Sequence, residues 1–298
     1  MKISSLIVTY NRLEKLQKTV EATLALPFQH IVIINNASTD NTSQWLSSLT
    51  DSRVVVLTLS ENMGGAYGFK HGAEWICENS NCDWVVFYDD DAYPSSDFID
   101  CFELNRMDGC YTYACNVIDE RGEICKMNIP WKSYPTGIIG QLEYLFHKNK
   151  FIPDFGRNEK IVSVSFVGLI ISRELLKKHI QHIHEELFIY FDDVYFSHHL
   201  TLAGEKIYML PSVKVVHAVN ANASVEQPWK VYFLIRNLLL SSSIFKKETP
   251  FGVMAKLLRI FKYITTGMRV TGRKKYFKYL SLGIYHGITG KSGKQIDW

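Results

Sequence analysis

The stretch VVFYDDDAYP (residues 85–94) runs a row of large, mostly apolar side chains into three consecutive aspartates. The apolar part is typical of a buried strand, so the carboxylates must stand where that strand ends. Because three adjacent negative charges repel one another, their position favours a divalent cation, which prefers oxygen ligands. Alternation along an extended backbone predicts Asp89 and Asp91 on one side and Asp90 on the other. A solvated loop before Pro94 is the alternative interpretation.

The segments before this stretch repeat one pattern, in which an apolar strand leads through a polar loop into a helix. Strands are predicted at 6–11, 30–35, 53–60 and 84–88, and helices at 13–24, 44–49 and 69–78. Such alternation predicts an α/β fold with a parallel sheet covered by helices. Ligands of these folds lie beyond the carboxyl ends of the strands, which is where the aspartates stand.

The second half contains two more positions with chemical potential. Strands are predicted at 164–172 and 206–219, helices at 174–179, 194–202 and 229–245, and irregular structure at 119–160. Asp192 and Asp193 interrupt an aromatic run in IYFDDVYF, either as a helix cap or as a general base that accepts a hydroxyl proton. His217, in VKVVHAV, is either a core histidine or a metal ligand.

Composition bounds the class of protein. With 298 residues, 47% hydrophobic and 21% charged, the chain is expected to fold rather than to be disordered. Its six cysteines form no CxxC pair, so free thiols in a reducing compartment are expected. We find neither a signal-peptide pattern nor an apolar run of the ~18–20 residues that a membrane span needs. A cytoplasmic protein is the resulting expectation.

Positive charge is concentrated near the C-terminus. Twelve Lys and Arg residues but one acid, Glu248, lie between Lys246 and Lys294, whereas the rest of the chain has 21 bases and 29 acids. Apolar residues from Met254 to Met268 recur at helical spacing between the charges. This pattern predicts a basic amphipathic helical tail that binds an anionic membrane surface, or else a packing or oligomer contact. Nucleic acid is not expected, because the body is acidic and lacks a recognised binding motif.

A glycine-containing loop, ENMGGAYGF (61–69), is weak evidence alone, since it is neither a GxGxxG nor a Walker loop. It stands, however, in an ordered series with TYNR, NNASTD, DDDA, FVGLIISREL, FDD and VVH. Over residues 3–240 this series resembles the inverting family-two glycosyltransferases of the GT-A fold. The GGxxGF, DDDA and FDD segments look most like bacterial galactofuranosyltransferases and rhamnosyltransferases.

The resemblance implies roles for the acidic motifs and for the histidine. Asp89, Asp91 and His217 would hold Mn²⁺ or Mg²⁺ against the diphosphate of a nucleotide sugar. Asp193 would be the catalytic base. The predicted acceptor-binding residues are Asp192, Trp131 and Trp229.

The resemblance also implies a donor site. Thr9 and Tyr10 would line the nucleobase pocket, and the amide oxygen of Asn35 would accept a hydrogen bond from uracil or thymine. Phe69 stands where many relatives carry a phosphate-binding arginine, which makes Arg236 a candidate for the diphosphate. The predicted donor-binding residues are Thr9, Tyr10, Arg12, Asn35, Asn62, Gly64, Gly65, Asp89, Asp90 and Arg236.

The expected activity is metal-dependent, inverting transfer of galactofuranose from UDP-galactofuranose, or of rhamnose from dTDP-rhamnose, to a bacterial surface polysaccharide or lipid-linked glycan. Residues 1–245 would form the GT-A domain, with a nucleotide-sugar half (1–118) and an acceptor half (119–245). Residues 246–298 would form the basic tail, which would attach the protein to the inner face of the plasma membrane. The protein could also form a homo-oligomer. A nucleotidyltransferase and a non-catalytic nucleotide-sugar-binding subunit remain open alternatives.

Overall fold

One mixed sheet organises the chain. The computed structural model describes residues 1–218 and 227–296, and within these ranges nine strands join in that sheet. The strands are β1 (Ile3–Thr9), β2 (Ile31–Asn35), β3 (Val54–Thr58), β4 (Trp84–Asp89), β5 (Ala92–Pro94), β6 (Thr112–Ile118), β7 (Glu159–Ile161), β8 (Leu169–Ser172) and β9 (Ile207–His217). The helices are α1 (Leu13–Leu24), α2 (Thr42–Ser47), α3 (Gly64–Asn79), α4 (Phe98–Asn105), α5 (Gly137–Phe146), α6 (Arg173–His179), α7 (Asp192–Leu202), α8 (Pro228–Phe245), α9 (Val253–Gly267) and α10 (Arg273–Thr289).

The order of the strands is β3-β2-β1-β4-β8-β6-β9-β5, and β7 also pairs with β9. Strands β3, β2, β1 and β4 run parallel, whereas β8 is antiparallel to both β4 and β6. Every residue of β1 and β2 is buried, as expected for strands with helices over both faces. The predicted α/β fold, a mostly parallel mixed sheet flanked by helices, is therefore confirmed.

Alternation sends the side chains of each central strand into two separate cores. In β1, Ile7 packs on the side covered by α1, and its neighbour Leu6 packs on the side covered by α3. Burying each such side chain contributes about 1.5–3 kcal/mol. Packing on both faces holds the strand ends, and the polar loops that follow them, in a fixed relation.

The polar loops meet at the carboxyl edge of the sheet. Thr9 at the end of β1 pairs with Asn35 at the end of β2, and Val8 pairs with Asp89 at the end of β4. The short strand β5 then pairs antiparallel with β9, which places Ala92 opposite His217. This pairing brings a histidine from late in the chain next to the aspartate triplet.

Several boundaries differ from the predicted ones. Helix α3 begins at Gly64 rather than at 69, because the Asn62 side chain accepts a hydrogen bond from the Gly64 N–H at 3.0 Å and starts the helix early. Strand β8 begins at Leu169 rather than at 164, because Gly168 has a φ of +92° that interrupts extended structure. Helix α5 and strand β7 lie in the region predicted to be irregular. The last residue of the strand predicted to end at 219 lies outside the described residues.

The C-terminal helices pack against α8 in a third core. Helix α10 lies so close to α8 that a Cβ on Gly283 would be 2.5 Å from the Ile235 Cγ2. Helix α9 instead leaves apolar side chains such as Leu257 and Phe261 more than half exposed. Helix α10, in the predicted tail, thus packs on α8, in the predicted GT-A domain. The boundary between these two units at residue 245 stays a prediction. No helix in the described ranges is both long and apolar enough to cross a membrane.

Candidate active site

Asp89, Asp91 and His217 form a cluster of potential metal ligands. One ligand atom from each lies within 4.8 Å of the others, and the His217 Nε2 lies 3.1 Å from the Asp91 Oδ1. Two carboxylates and one imidazole are a donor set that fits a divalent cation. The structure thus brings together the three residues that the sequence analysis assigned to a metal.

A second layer of contacts sets the orientation of His217. Its Nδ1 lies 2.9 Å from the Asn128 Oδ1, and the Asn128 Nδ2 donates to the Ser165 Oγ at 3.0 Å. Because the amide nitrogen faces Ser165, the amide oxygen faces the histidine, whose Nδ1–H must donate. Nε2 then faces the aspartates, where its N–H donates to Asp91. Loss of that proton would free the lone pair that a metal-binding histidine uses. Sequence reasoning missed Asn128, which lies in a segment predicted to be irregular.

Burial and mutual interactions shift the pKa values of the three aspartates and of His217. Burial and the charge of Asp91 raise the pKa of Asp89 to about 7, and burial raises the pKa of Asp90 to about 6. Burial also acts on Asp91, but hydrogen bonds from His217 and Lys15 outweigh it and hold the pKa of that carboxyl well below its usual range. The pKa of His217 is raised to about 9 because its bond to Asp91 outweighs its burial. A bound cation would favour the ionised form of the buried Asp89 and Asp90 carboxyls.

Two basic side chains from the start of α1 reach the same aspartates. The Arg12 Nη1 lies 2.9 Å from the Asp91 Oδ2, and the Lys15 Nζ lies 2.8 Å from the same oxygen. Lys15 also donates to the Ala218 carbonyl oxygen at 3.0 Å. Both basic groups are about half exposed, so an anion at the sheet edge can still contact them. Lys15 was missed by sequence reasoning, although its place one helical turn after Arg12 was a usable signal.

Asp90 faces away from the cluster, as alternation predicts. Its Oδ2 accepts a bond from the Thr9 Oγ1 at 2.9 Å and a longer one, 3.3 Å, from the Tyr10 N–H. The ring of Tyr10 remains exposed beside it. Asp90 therefore ties the first polar loop to the acidic triplet.

Asn35 does not have the predicted role. Its side chain is fully buried, its Nδ2 donates to the Ser43 Oγ at 2.8 Å, and its Oδ1 accepts from the Ser38 N–H at 3.0 Å. The predicted contact with a nucleobase is wrong for this geometry, because no part of the amide is accessible. Asn35 shapes the loop after β2 instead.

The glycine loop packs against the segment that precedes the second acidic pair. Gly64 has a φ of +86°, and a Cβ there would lie 2.2 Å from the Phe188 carbonyl oxygen, which accepts a bond from the Ala66 N–H. A Cβ on Gly65, in contrast, would meet no atom within 4 Å. Gly64 is thus required for close approach of the two segments, and Gly65 leaves space at the surface.

That segment is strained and leads directly into the aspartates. Phe188, Tyr190 and Phe191 have φ values of +69°, +69° and +68°, a region that bulky residues rarely adopt. Asp192 and Asp193 follow in the first turn of α7, where the helix dipole favours negative charge. Backbone strain of this kind persists only where surrounding contacts enforce it.

The contacts that enforce it come from Arg236 and Asn237 on α8. The Asn237 Nδ2 donates to the carbonyl oxygens of Leu187, Ile189 and Tyr190 at 2.8 to 3.0 Å. The Arg236 Nη2 donates to the Leu187 carbonyl oxygen at 2.7 Å, and its Nη1 donates to the Gly293 carbonyl oxygen. Arg236 is fully buried, so the prediction that it binds a diphosphate is wrong. We refer to Arg236 and Asn237 as the α8 brace.

The carboxyl groups of Asp192 and Asp193 have raised pKa values. Burial and the charge of Asp193 raise the pKa of Asp192, on which the charge of Asp89 also acts. Burial raises the pKa of Asp193 to about 6, although the Val194 N–H donates to it at 2.7 Å. A carboxylate in this range is still ionised at neutral pH and is a stronger base than an ordinary aspartate.

The two predicted acceptor-binding tryptophans lie apart. Trp131 packs on Tyr144, with ring centroids 5.2 Å apart, and lines a cleft of about 850 Å³. Trp229 lies in the first turn of α8, and its ring centroid is 6.1 Å from that of Phe233. Burial and the charge of Arg12 lower the pKa of its neighbour Lys230. A third basic group therefore lies within electrostatic range of Arg12.

Comparison with known proteins agrees with this geometry. Among curated proteins, none matches the chain by sequence. The solved structure of GalNAc-T7 with UDP, GalNAc and Mn²⁺ is similar in fold, with a TM-score of 0.58 and 12% identity. The similarity covers 97% of this chain and 56% of that one, so this chain spans little more than half its length. The structure of S. aureus TarS 1-349 is similar with a TM-score of 0.55 and 15% identity, over 97% of this chain and 81% of that chain.

The family match runs from strand β1 through helix α6. Residues 4–180 match the family described as glycosyl transferase family 2, and they include the aspartate triplet and the polar loops after β1, β2 and β3. This match spans more than half of the 298 residues. The chain therefore belongs to glycosyl transferase family 2, with the GT-A fold.

Proposed function

We propose that the protein is a metal-dependent, inverting glycosyltransferase. It would transfer galactofuranose from UDP-galactofuranose to a hydroxyl of a bacterial surface polysaccharide or lipid-linked glycan, with dTDP-rhamnose as the alternative donor. The observation that carries the proposal is a metal-type donor set with two basic side chains beside it, and Asp192, the neighbour of Asp193, lies within electrostatic range of Asp89 in that set. A nucleotidyltransferase or a non-catalytic binding subunit gives no reason for the separate carboxylate of Asp193.

The donor diphosphate would lie over the acidic triplet. Mn²⁺ or Mg²⁺ held by Asp89, Asp91 and His217 would neutralise charge on the departing nucleoside diphosphate. Arg12 and Lys15 would meet diphosphate oxygens, which replaces the role first assigned to Arg236. The presence of UDP and Mn²⁺ in the GalNAc-T7 structure supports a UDP-sugar and a divalent cation as the first ligands to test.

Asp193 would act on the acceptor. Its carboxylate accepts the proton of the acceptor hydroxyl while that oxygen attacks the anomeric carbon from the face opposite the diphosphate. The bond to the diphosphate breaks as the new glycosidic bond forms, so the configuration inverts. The fixed orientation of Asp193 in the first turn of α7 supports this role. Asp192, more deeply buried, would orient the pair.

Transfer of radiolabelled sugar tests the proposal. Purified protein is incubated with Mn²⁺, UDP-galactofuranose or dTDP-rhamnose, and a glycan acceptor, and nucleoside diphosphate release is followed with and without acceptor. Asp193→Asn should retain nucleotide binding and lose transfer by about 10²–10⁴-fold. Asp108→Asn, at an exposed position, is the control and should behave as the parent. Near-normal turnover of Asp193→Asn would show that the base is a different residue.

We also propose that residues 246–298 hold the protein at the inner face of the plasma membrane. Exposed apolar residues of α9 such as Val253 and Phe261, set among lysines and arginines, support this attachment. Sedimentation with phosphatidylglycerol vesicles should fall for a Val253→Asn and Phe261→Asn double variant. Unchanged sedimentation of the double variant would show that these residues of the tail do not attach the protein to the membrane.

A further inference from the structure

A cleft between α5 and α9 lies outside the acidic cluster. Its volume of about 850 Å³ lies within the range of sites for one small-molecule ligand, roughly 300–1,000 Å³. Its walls are mainly apolar. The apolar lining residues include Ile138, Leu142 and Leu145 of α5, Met254 and Leu258 of α9, and Trp131.

Helix α5 is unusual because no residue of it is buried. Its apolar side chains Ile138, Leu142 and Leu145 are each more than half exposed, and all three face the cleft. Leu258 on the opposite wall is 47% exposed. Leaving this much apolar surface in water costs about 25 cal/mol for each Å² that a ligand would cover. The cleft is therefore suited to an extended apolar chain.

The charge of the cleft has one sign. Lys126, Arg259 and Lys262 contribute to its lining, and of the lining residues that the structure describes none is acidic. The Arg259 guanidinium lies over the rings of Phe251 and Phe191, at 4.8 and 5.8 Å from their centroids. A site with apolar walls and guanidinium and ammonium groups matches an amphiphile with a phosphate group.

The cleft also adjoins the proposed base. Tyr134 lines it, and this tyrosine is within electrostatic range of both Asp193 and Arg259. Phe191, which Arg259 covers, precedes Asp193 by two residues. A ligand with its phosphate at Arg259 would thus present its next group toward Asp193.

We propose that this cleft binds the lipid phosphate part of a lipid-linked glycan acceptor, with a single long apolar chain between α5 and α9, its phosphate at Arg259 and Lys262, and the hydroxyl of its glycan toward Asp193. This inference rests on the proposed function, since it names the acceptor class for the same base. It differs from attachment to a membrane surface, because the chain occupies a cleft and not the outward face of α9.

Calorimetric titration with alkyl phosphates below their micelle concentration tests the site without donor, metal or turnover. Decyl phosphate should bind with one-site saturation, and octyl phosphate should bind about tenfold more weakly, from ~0.8 kcal/mol for each buried methylene. Inorganic phosphate and the neutral decyl glucoside should each bind at least tenfold more weakly than decyl phosphate. Equal binding of decyl glucoside would overturn the assignment of the phosphate to Arg259.

Matched variants on one helix locate the site. Leu258→Asn should weaken decyl phosphate binding at least tenfold, whereas Leu257→Asn, exposed to a similar extent but outside the lining, should change it less than twofold. Arg259→Gln should weaken it at least tenfold, and Arg269→Gln, exposed and outside the lining, should not. Equal losses for both members of either pair would overturn the proposal.

Three other outcomes separate this inference from membrane attachment and from the proposed function. If decyl phosphate fails to bind while phosphatidylglycerol vesicles bind in a way that Leu257→Asn and Leu258→Asn reduce equally, the surface docks on lipid and the cleft proposal is wrong. If sugar transfer proceeds to a soluble glycan but decyl phosphate does not bind, the proposed function is supported and the proposal of a lipid acceptor in the cleft is wrong. If decyl phosphate binds as expected but the protein transfers sugar from neither donor, the cleft site is supported and the proposed function is wrong.

Discussion

Asn237 offers the most informative single perturbation of the fold near the base. Its side-chain amide donates to three carbonyl oxygens of the strained segment, and its Oδ1 accepts from the Arg236 Nε at 2.8 Å. In Asn237→Ala the Leu187 oxygen keeps its bonds from Arg236 and from the Ile189 N–H. The oxygens of Ile189 and Tyr190 lose the donor that the structure shows for them.

The expected loss of stability follows from that count. Two partly or fully buried carbonyls and one guanidinium N–H lose a partner, at about 1–3 kcal/mol each. Because carbonyls near the surface recover some bonding to water, the low end of the sum applies, and the free energy of unfolding should fall by about 3 kcal/mol. That is a large part of the ~5–15 kcal/mol that a folded protein has. The midpoint of thermal unfolding should fall by roughly 5–10 °C.

Activity should fall as well, through geometry. Asp192 and Asp193 follow the braced segment directly, whereas the acidic triplet is held by β4 and β5 on the other side of the site. We therefore expect kcat to fall at least tenfold with the KM for the donor changed less than twofold. Thermal unfolding and steady-state transfer, both at a temperature where the variant is folded, measure the two effects.

A matched variant separates bracing from general loss of a hydrogen bond. Asn105→Ala, on α4, removes a single side-chain bond to the Cys101 carbonyl oxygen and should lower the free energy of unfolding by about 1 kcal/mol or less, with kcat unchanged. If Asn237→Ala loses stability but keeps its kcat, the α8 brace is structural and does not position the base. If its unfolding is unchanged, the bonds to the strained segment contribute little.

Three further predictions concern the metal cluster, the glycine loop and the base. Asn128→Leu removes the acceptor that orients the histidine of the metal cluster and should weaken Mn²⁺ binding by about 10–100-fold in calorimetry; unchanged affinity would contradict this orienting role. Gly64→Ala should lower the free energy of unfolding in a denaturation assay by more than about 2 kcal/mol, because a Cβ there would lie 2.2 Å from the Phe188 carbonyl oxygen. In the same assay, Gly65→Ala should change the free energy of unfolding by less than about 0.5 kcal/mol. Since the raised pKa of Asp193, about 6, belongs to a group that must be deprotonated to accept a proton, kcat should fall tenfold for each pH unit below about 6; a fall that starts near pH 4 would refute the raised value.

The pattern of strands and helices in residues 1–118 was predictable because it is local. Apolar strands followed by polar loops predict a parallel sheet, and helix α1 was predicted with its observed bounds, Leu13–Leu24. The position of the acidic triplet at the carboxyl edge followed from the same pattern. Helix α5 was missed in the sequence analysis, although Ile138, Leu142 and Leu145 recur at helical spacing.

Individual roles within the site depended on contacts between distant segments. Asn128 reaches the acidic cluster through side-chain geometry that no spacing encodes, whereas Lys15 could have been found from its place one helical turn after Arg12. Arg236 was assigned to a ligand from its charge, but the fold places it in a buried position bonded to carbonyl oxygens. Its apolar neighbours in FLIRNLLL were the available sign of burial.

The sequence by itself determined which residue types stand at the ends of the strands, because backbone periodicity and side-chain polarity act over a few residues. Only the tertiary structure decided which of these side chains meet. Pairing of β5 with β9 brings His217 to the aspartates, and the contacts of α8 hold Asp193 in place across more than 40 residues of chain. Such long-range contacts are set by packing of the whole chain, and no local stretch of sequence contains them.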